Sequence, residues 1–288
     1  MKDDDRAILQ RRLTARLFAE VEAGTDQLEV LRNHDLFSES VADDEGVPVH
    51  PYSTIAEHVN EATDDKLVRA FEQLYRPAEA WAETPEPWQP GRFRLFGSHS
   101  SLDKELVGDV RQFLDPLGID LFVAHARINP AAEWLAVIEQ ALNTCHALSA
   151  FITQNFHESL WTDQEVGIAY ARGVPILPHR LGADPYGFMG RFQGLRMGTA
   201  AEIADEIFEV VSSHDDSWRM VGYSMLVCFE ESRSYEEAKN RAATMRRLTR
   251  FPAELVDSLR YAEHSNGQLD GRQQRAAIAA LLRQATTI

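Results

Sequence analysis

Trp161 and Glu165 stand four residues apart at the head of the segment WTDQEVGIAYARG, directly after the short apolar run ALSAFIT. A helix starting near Leu160 puts both on one face, since residues i and i+4 are neighbours on a helix. That face opens beyond the carboxyl end of the preceding strand, the edge at which open α/β sheets bind ligands. A carboxylate beside an indole at such a mouth can meet a positively charged, sugar-like species. An ordinary amphipathic helix whose first-turn Glu complements the helix dipole has the same pattern, so the pair needs company to signify.

Company is found at the ends of three successive strand-like runs. FGSHSSLDKEL supplies Phe96, Gly97, Ser98, His99, Ser100, Ser101 and Asp103. VAHARINPAAEW supplies Ala124, His125, Arg127, Asn129 and Trp134, and QNFHESLWTDQE supplies His157, Ser159, Trp161 and Glu165. Each has a plain structural role open to it. Ser100 or Ser101 suits a helix N-cap, Asp103 suits a helix dipole, and Ser159 suits the cap of the Trp161 helix. His99 suits a solvated turn, Arg127 the surface and Trp134 a core.

Several chemistries are absent. The chain has no G-x-x-x-x-G-K-[ST] phosphate loop, no G-x-G-x-x-G redox dinucleotide fingerprint and no G-x-S-x-G nucleophile elbow. Its histidines and cysteines lack metal-ligand spacing, so no metal is expected. A lone carboxylate among hydroxyls and aromatics remains. That set suits cleavage of a glycosidic bond through an oxocarbenium-like state, which nearby negative charge stabilises.

The elements that must position these groups alternate. From Phe93, the strands RFRLF, IDLFVA, ALSAFIT and VPILPHR are separated by helical stretches at Leu102–Leu117 (with Leu106, Val110 and Phe113 inward), Ala132–Leu142 and the Trp161 segment, and a helix from Thr199 to Ser213 closes the series. Short connections between strands and helices imply βαβ units and a parallel sheet. Ahead of this, residues 4–35 and Thr54 to about Trp81 read as helix, with an acidic loop from Ser38 to Pro51. The proline-rich ETPEPWQPG marks a linker near Gly91. After Ser213 the chain reads as helical, with Ser234 and Glu237 spaced as a capping box. Three segments result: a helical region 1–90, an α/β domain 91–213 and a helical domain 214–288.

Composition agrees with a globular protein in a reducing compartment. Of 288 residues 44 % are hydrophobic and 26 % charged, with two cysteines, Cys145 and Cys228, read as buried free thiols. There is no apolar run long enough for a membrane span, and the N-terminus lacks the apolar core of a signal peptide, so a cytoplasmic location is expected. The net charge of −16 is concentrated in residues 1–90, where 9 basic and 20 acidic residues give −11. An acidic surface excludes nucleic acid as the main partner.

The stretches RLFGSHSSLDKELVGDVRQFL, GIDLFVAHARINPAAEW and ALSAFITQNFHESLWTDQEVGIAYARGVPILPHRLGADPYGF together resemble a bacterial TIR (Toll/interleukin-1 receptor) domain over about residues 92–213. They are most similar to TIR proteins of antiphage defence, including those of Thoeris systems. The resemblance implies a flavodoxin-like parallel sheet of five strands, flanked here by the N- and C-terminal helical segments. It implies an NAD glycohydrolase or ADP-ribosyl cyclase, with NAD as substrate and no cofactor. Glu165 matches the catalytic glutamate, and Ser159 and Trp161 match pocket residues. Phe96, Gly97, Ser98, His99 and Ser100 match the loop after the first strand. Val123 to Arg127, including Ala124 and His125, match the start of the BB loop, through which neighbouring TIR domains complete a site. Self-association, and an effector that senses the nucleotide product, are the partners this implies. A non-catalytic TIR module that assembles signalling partners is the alternative. TIR adaptors frequently lack the glutamate kept here, whereas the BB loop lacks the Gly-rich proline turn of receptor TIRs.

Overall fold

Gly24 and Asp26 cut the first amphipathic stretch in two. Gly24 takes a φ of +105°, which favours glycine, and the Asp26 side chain accepts from the backbone N–H groups of Leu28 and Glu29, starting a second helix. In this computed structural model, residues 1–38, 51–75, 83–124, 134–196 and 198–286 are described. The chain forms two compact units, Met1–Thr84 with Glu254–Gly267 and Pro85–Ala253 with Gln268–Ile288.

The first unit holds α1 (Asp3–Glu22), α2 (Gln27–Asn33), α3 (Pro51–Glu61) and α4 (Asp64–Leu74), together with the later helix Val256–Ser265. Among the described residues, the continuous helix expected from Thr54 to about Trp81 is two helices, and 76–81 lie outside those residues. Leu9, Leu13, Leu17, Val30, Ile55, Val59 and Leu67 form the shared core, at about 1.5–3 kcal/mol for each large side chain removed from water. Arg16 Nη1 reaches Asp257 Oδ2 at 3.1 Å, pinning the late helix within this unit. Most of the Ser38–Pro51 loop lies outside the described residues.

The second unit is α/β. Its elements run β1 (Phe93–Ser98), α5 (Lys104–Leu114), β2 (Ile119–Phe122), α6 (Trp134–Thr144), β3 (Ala147–Ile152), α7 (Thr162–Arg172), β4 (Ile176–Arg180) and α8 (Ala200–Ser213). Next come α9 (Trp218–Glu230), α10 (Tyr235–Met245), the two-residue strand β5 (Phe251–Pro252), α11 (the Val256–Ser265 helix of the first unit), α12 (Arg272–Gln284) and β6 (Ala285–Thr286). β5 and β6 pair in parallel, a small exception to the helical reading of the chain after Ser213.

The main sheet has the order β2-β1-β3-β4, with every described pairing parallel. Alternation along the strands sorts the faces. Phe96, Phe122, Leu148, Ala150, Ile152 and Ile176 join Val166 and Ala169 of α7 and Ile138 and Leu142 of α6 in one core cluster. α5 and α8 pack against each other. Thr199 starts α8 with a complete capping box closed by Glu202.

Three expectations are corrected. Among the described residues the sheet has four strands, not five. The place of a fifth is marked by a single parallel bridge from His179 to Leu195, with Leu195 N–H donating to Pro178 O at 2.7 Å. Leu195 is flanked by Gly194 and Arg196, so no run of β-forming residues extends the pairing. Phe113 faces out and is 50 % exposed; the inward stripe of α5 is Val107, Val110 and Leu114. Trp88, inside the expected linker, is buried in the sheet's core cluster, and its Nε1 donates to Thr144 Oγ1 at 2.7 Å.

Behind β1 and β2, α9 is fastened by Ser224. Its hydroxyl accepts from Phe93 N–H at 3.1 Å and donates to Gly118 O. Gly118 has a φ of +76°, and a Cβ there would lie 2.8 Å from Ser224 Oγ and 3.1 Å from Cys228 Sγ. Both turn geometry and close approach therefore require glycine. Cys145 and Cys228 are buried free thiols.

Candidate functional site

The chain leaves β1 toward β2 on one side and later lays β3 on the other, so the strand order reverses between β1 and β3. The crevice beyond the carboxyl ends of strands at such a reversal is where open parallel sheets hold ligands. Ser98 is the last residue of β1, and Glu165 lies in the first turn of α7, which follows β3.

These two side chains meet. Ser98 Oγ donates to Glu165 Oε2 at 2.6 Å, within the short range of a hydroxyl bonded to a carboxylate. Ser98 is 0 % exposed and Glu165 7 %. No ion pair holds Glu165 among the described residues. Burial pushes its carboxyl up to about 7, and the Ser98 hydrogen bond pulls in the other direction. Enclosure without a counter-cation among the described residues therefore favours the protonated form, and the Ser98 donor partly offsets it.

Trp161 immediately precedes α7, and its carbonyl accepts the Glu165 N–H at 2.9 Å, so the i,i+4 relation holds. The indole is 39 % exposed while the carboxylate is enclosed. Thr162 Oγ1 donates to Phe156 O at 2.8 Å and locks the entry to the helix. Ser159 Oγ accepts from Trp161 N–H at 3.4 Å, a bond too long to act as a strong cap. Leu160, between them, is 84 % exposed.

The loop after β1 divides by function. Phe96 points into the core against Phe122, with ring centroids 5.4 Å apart, and does not reach the edge. Gly97 serves packing, because a Cβ there would approach Leu121 Cδ1 and Phe122 O at 3.1 Å. His99 is buried instead of solvated, and its Nδ1 lies 2.7 Å from Gly97 O. A carbonyl only accepts, so Nδ1 carries a proton. Ser100 accepts from Leu102 N–H at 3.4 Å, capping a single helical turn ahead of α5. Ala124, just past β2, is half-buried. His125, Arg127 and Asn129 lie outside the described residues, as does the Trp134 side chain.

Asp103 is a tie. Thr153 Oγ1 donates to its Oδ2 at 2.6 Å and Asn155 Nδ2 to its Oδ1 at 3.3 Å, joining the loops after β1 and β3. Tyr186, given no role on sequence grounds, donates from its hydroxyl to Asp163 Oδ1 at 2.6 Å and meets the His157 ring edge-on with centroids 4.6 Å apart. Burial, then the Asp163 carboxylate, hold its phenol above the usual range. The ADPYGF turn was the available signal, but a turn tyrosine does not announce its partner. No group of three or more His, Cys, Asp or Glu side chains able to hold a metal occurs among the described residues.

A buried carboxylate thus lies at the reversal point of an α/β domain with a 2-1-3-4 parallel sheet. Residues 96–207 match the family model of the TIR domain, and the chain carries a TIR domain there. No curated protein and no solved structure matches the chain. No described helix is long and apolar enough to cross a membrane.

Proposed function

We propose that this TIR domain cleaves NAD, releasing nicotinamide and passing ADP-ribose to water or to its own adenine, in a bacterial antiphage role of the Thoeris type. The observation that carries the reading is Glu165: enclosed at the carboxyl edge, held by one hydroxyl and paired with no cation among the described residues. Structural carboxylates collect donors, whereas groups kept at a shifted pKa in a cleft are candidates for chemistry.

The chemistry suits one carboxylate. The bond from ribose C1′ to the pyridinium nitrogen breaks with its electron pair going to nitrogen, so nicotinamide departs neutral and needs no general acid. The ribose is left as an oxocarbenium-like cation. The oxygen of water, or an adenine nitrogen in cyclisation, then attacks C1′ with loss of one proton overall. Ionised Glu165 stabilises the developing charge and engages the ribose hydroxyls. The cationic pyridinium of bound NAD also favours ionisation of a carboxyl that titrates near 7. Trp161, Ser159, His99, Ser100 and Ala124 are assigned to the walls around the substrate, together with His125 and Arg127. This places the protein in the cytoplasm beside its NAD, self-associating through TIR domains and serving an effector that senses the product.

The test is nicotinamide release by the purified chain and by Glu165→Gln. Loss of roughly 10²–10³ in turnover is expected, the usual consequence of deleting one transition-state contact. Retention of most of the turnover by a folded variant would reject the assignment. A purely assembling TIR module draws on Leu102 and Leu160, which are 73 % and 84 % exposed near the same edge. That reading prevails if the wild type releases no nicotinamide yet associates through this surface.

A further inference from the structure

Ser98 cannot itself line a substrate site. It ends β1 with no exposed area, and its hydroxyl is committed to Glu165 Oε2. The carboxyl makes no other hydrogen bond or ion pair among the described residues, so Oε1 is the oxygen left for a ligand. Its backbone lies in the parallel pairing of β1 with β3, opposite Ala150, which fixes where the hydroxyl sits. Glu165 is fixed in turn by α7, whose Val166 and Ala169 are packed in the core.

We propose that Ser98 is the positioning residue of Glu165, anchoring Oε2 so that Oε1 faces the ligand and holding the carboxyl in its ionised state. This rests on Glu165 being the catalytic carboxylate, and it moves Ser98 from the substrate wall to the support behind it. A hydroxyl that donates to a carboxylate favours the charged form.

Other groups do not share the task. The charged or titratable side chains on the surrounding elements include Arg94 in β1, His99 and Asp103 after it, Asp120 in β2, Glu139 on α6, His157 and Glu158 in the turn after β3, Arg180 in β4, and Tyr186 and Arg191 beyond it. Asp163, Tyr170 and Arg172 lie on α7 itself. None of them shifts the Glu165 carboxyl, which responds to burial and to Ser98. His179 is on the opposite face of the sheet, against Phe151.

The full-length protein is assayed for NAD consumption from pH 5 to 9 as wild type, Ser98→Ala and Ser98→Thr. With Ser98→Ala the acid limb of kcat is expected to move upward by about one to two pH units, the worth of one hydrogen bond to a charged group. Activity then falls about tenfold or more at pH 6.5 and recovers toward wild type at pH 9. KM changes little, and Ser98→Thr, which keeps the hydroxyl, retains the wild-type limb. A loss equal at every pH, or an unmoved limb, overturns the proposal.

A second readout needs no turnover. In protein labelled with ¹³C at the glutamate carboxyl carbon, the Glu165 signal is assigned by its disappearance in Glu165→Gln. Its titration midpoint is expected to rise in Ser98→Ala; an unchanged midpoint overturns the coupling even if NAD is cleaved. A wild type that consumes no NAD but shows the raised midpoint sinks the NAD reading and leaves the Ser98–Glu165 coupling standing. Should Ser98→Ala not fold, Ser98→Cys, similar in volume but a weaker donor, is expected to give a smaller rise, and no rise overturns the proposal.

Discussion

In the turn before α5, Asp103 receives a hydroxyl from Thr153 and an amide from Asn155, one on each oxygen. In the first turn of α7, Glu165 receives a single hydroxyl and is more deeply enclosed. Both carboxylates follow a strand of the same sheet, and both stand where a helix dipole favours negative charge. The first is surrounded by donors that tie two loops together. The second is underprovided, and the fold keeps it although its ionisation is disfavoured there. Function-bearing groups are commonly retained at a cost in stability. The contrast separates a structural acid from a chemical one more sharply than either residue's type or spacing.

The largest effect that would break this contrast is on turnover. Glu165→Gln is expected to lose roughly 10²–10³ in NAD cleavage, whereas Asp103→Asn keeps activity per folded molecule within a fewfold. Specific activity against the folded fraction from circular dichroism checks it. Equal losses from the two variants would erase the distinction.

Stability should respond in the opposite sense. Glu165 is neutral more readily in the folded chain than in the unfolded one, where it titrates near 4.5. Its favourable contribution is therefore complete below pH 4.5 and is lost as the pH rises through about 7. Glu165→Gln is expected to stabilise the protein above pH 7, by an amount on the order of 3 kcal/mol at most, and to do little at pH 4. Urea melts of wild type and variant at pH 4.5 and 8 measure the difference.

His179 supplies a control of opposite sign. Its ring is fully buried against Phe151, neither nitrogen has a hydrogen-bond partner among the described residues, and burial lowers its pKa to about 3. An unfolded chain binds that proton from pH 6.5 downward, so stability from His179 is present above 6.5 and lost as the pH falls toward 3. Between these limits the two groups oppose each other. In Glu165→Gln the trend of the buried histidines remains, His179 together with His146, which burial also lowers to about 3, and stability should rise with pH up to about 6.5 and then level off. A variant whose stability still declines above pH 7 would show that another acid carries the alkaline loss.

Smaller effects sharpen the picture. Asp103→Ala, which leaves Thr153 and Asn155 without their acceptor, should cost about 1–3 kcal/mol. Tyr186→Phe removes a partly exposed hydrogen bond to Asp163 and should cost under about 1.5 kcal/mol. Thermal melts at pH 7 rank the two, and a reversed order would count against Asp103 as the tie.

Much of this arrangement is legible in the residues. Strand–helix alternation located β1 to β4, and the Ser234-x-x-Glu237 pattern located the start of α10, because both signals are local. Spacing also put Trp161 and Glu165 in one turn. What escaped is what depends on distant partners or on three-dimensional crowding. Ser98 and Glu165 are 67 residues apart, and nothing in either neighbourhood names the other. Phe113 fits helical spacing as well as Leu114 does, but only Leu114 faces the sheet. Trp88 sits among prolines that read as linker, yet a single indole can anchor such a segment. A fifth strand came with the resemblance, while the chain offers Leu195 alone at that edge.

The Ser224 bridge has a practical corollary. Residues 96–207 bound the recognisable module, but the first amide of β1 and the carbonyl at the mouth of β2, bonded to each other at 3.0 Å, share a hydroxyl far downstream as a further partner. A fragment trimmed at 213 loses that shared hydroxyl and bares Gly118 where a helix had lain. The smallest transplantable piece is thus longer than its family signature, and chimaeras should carry α9 with the sheet.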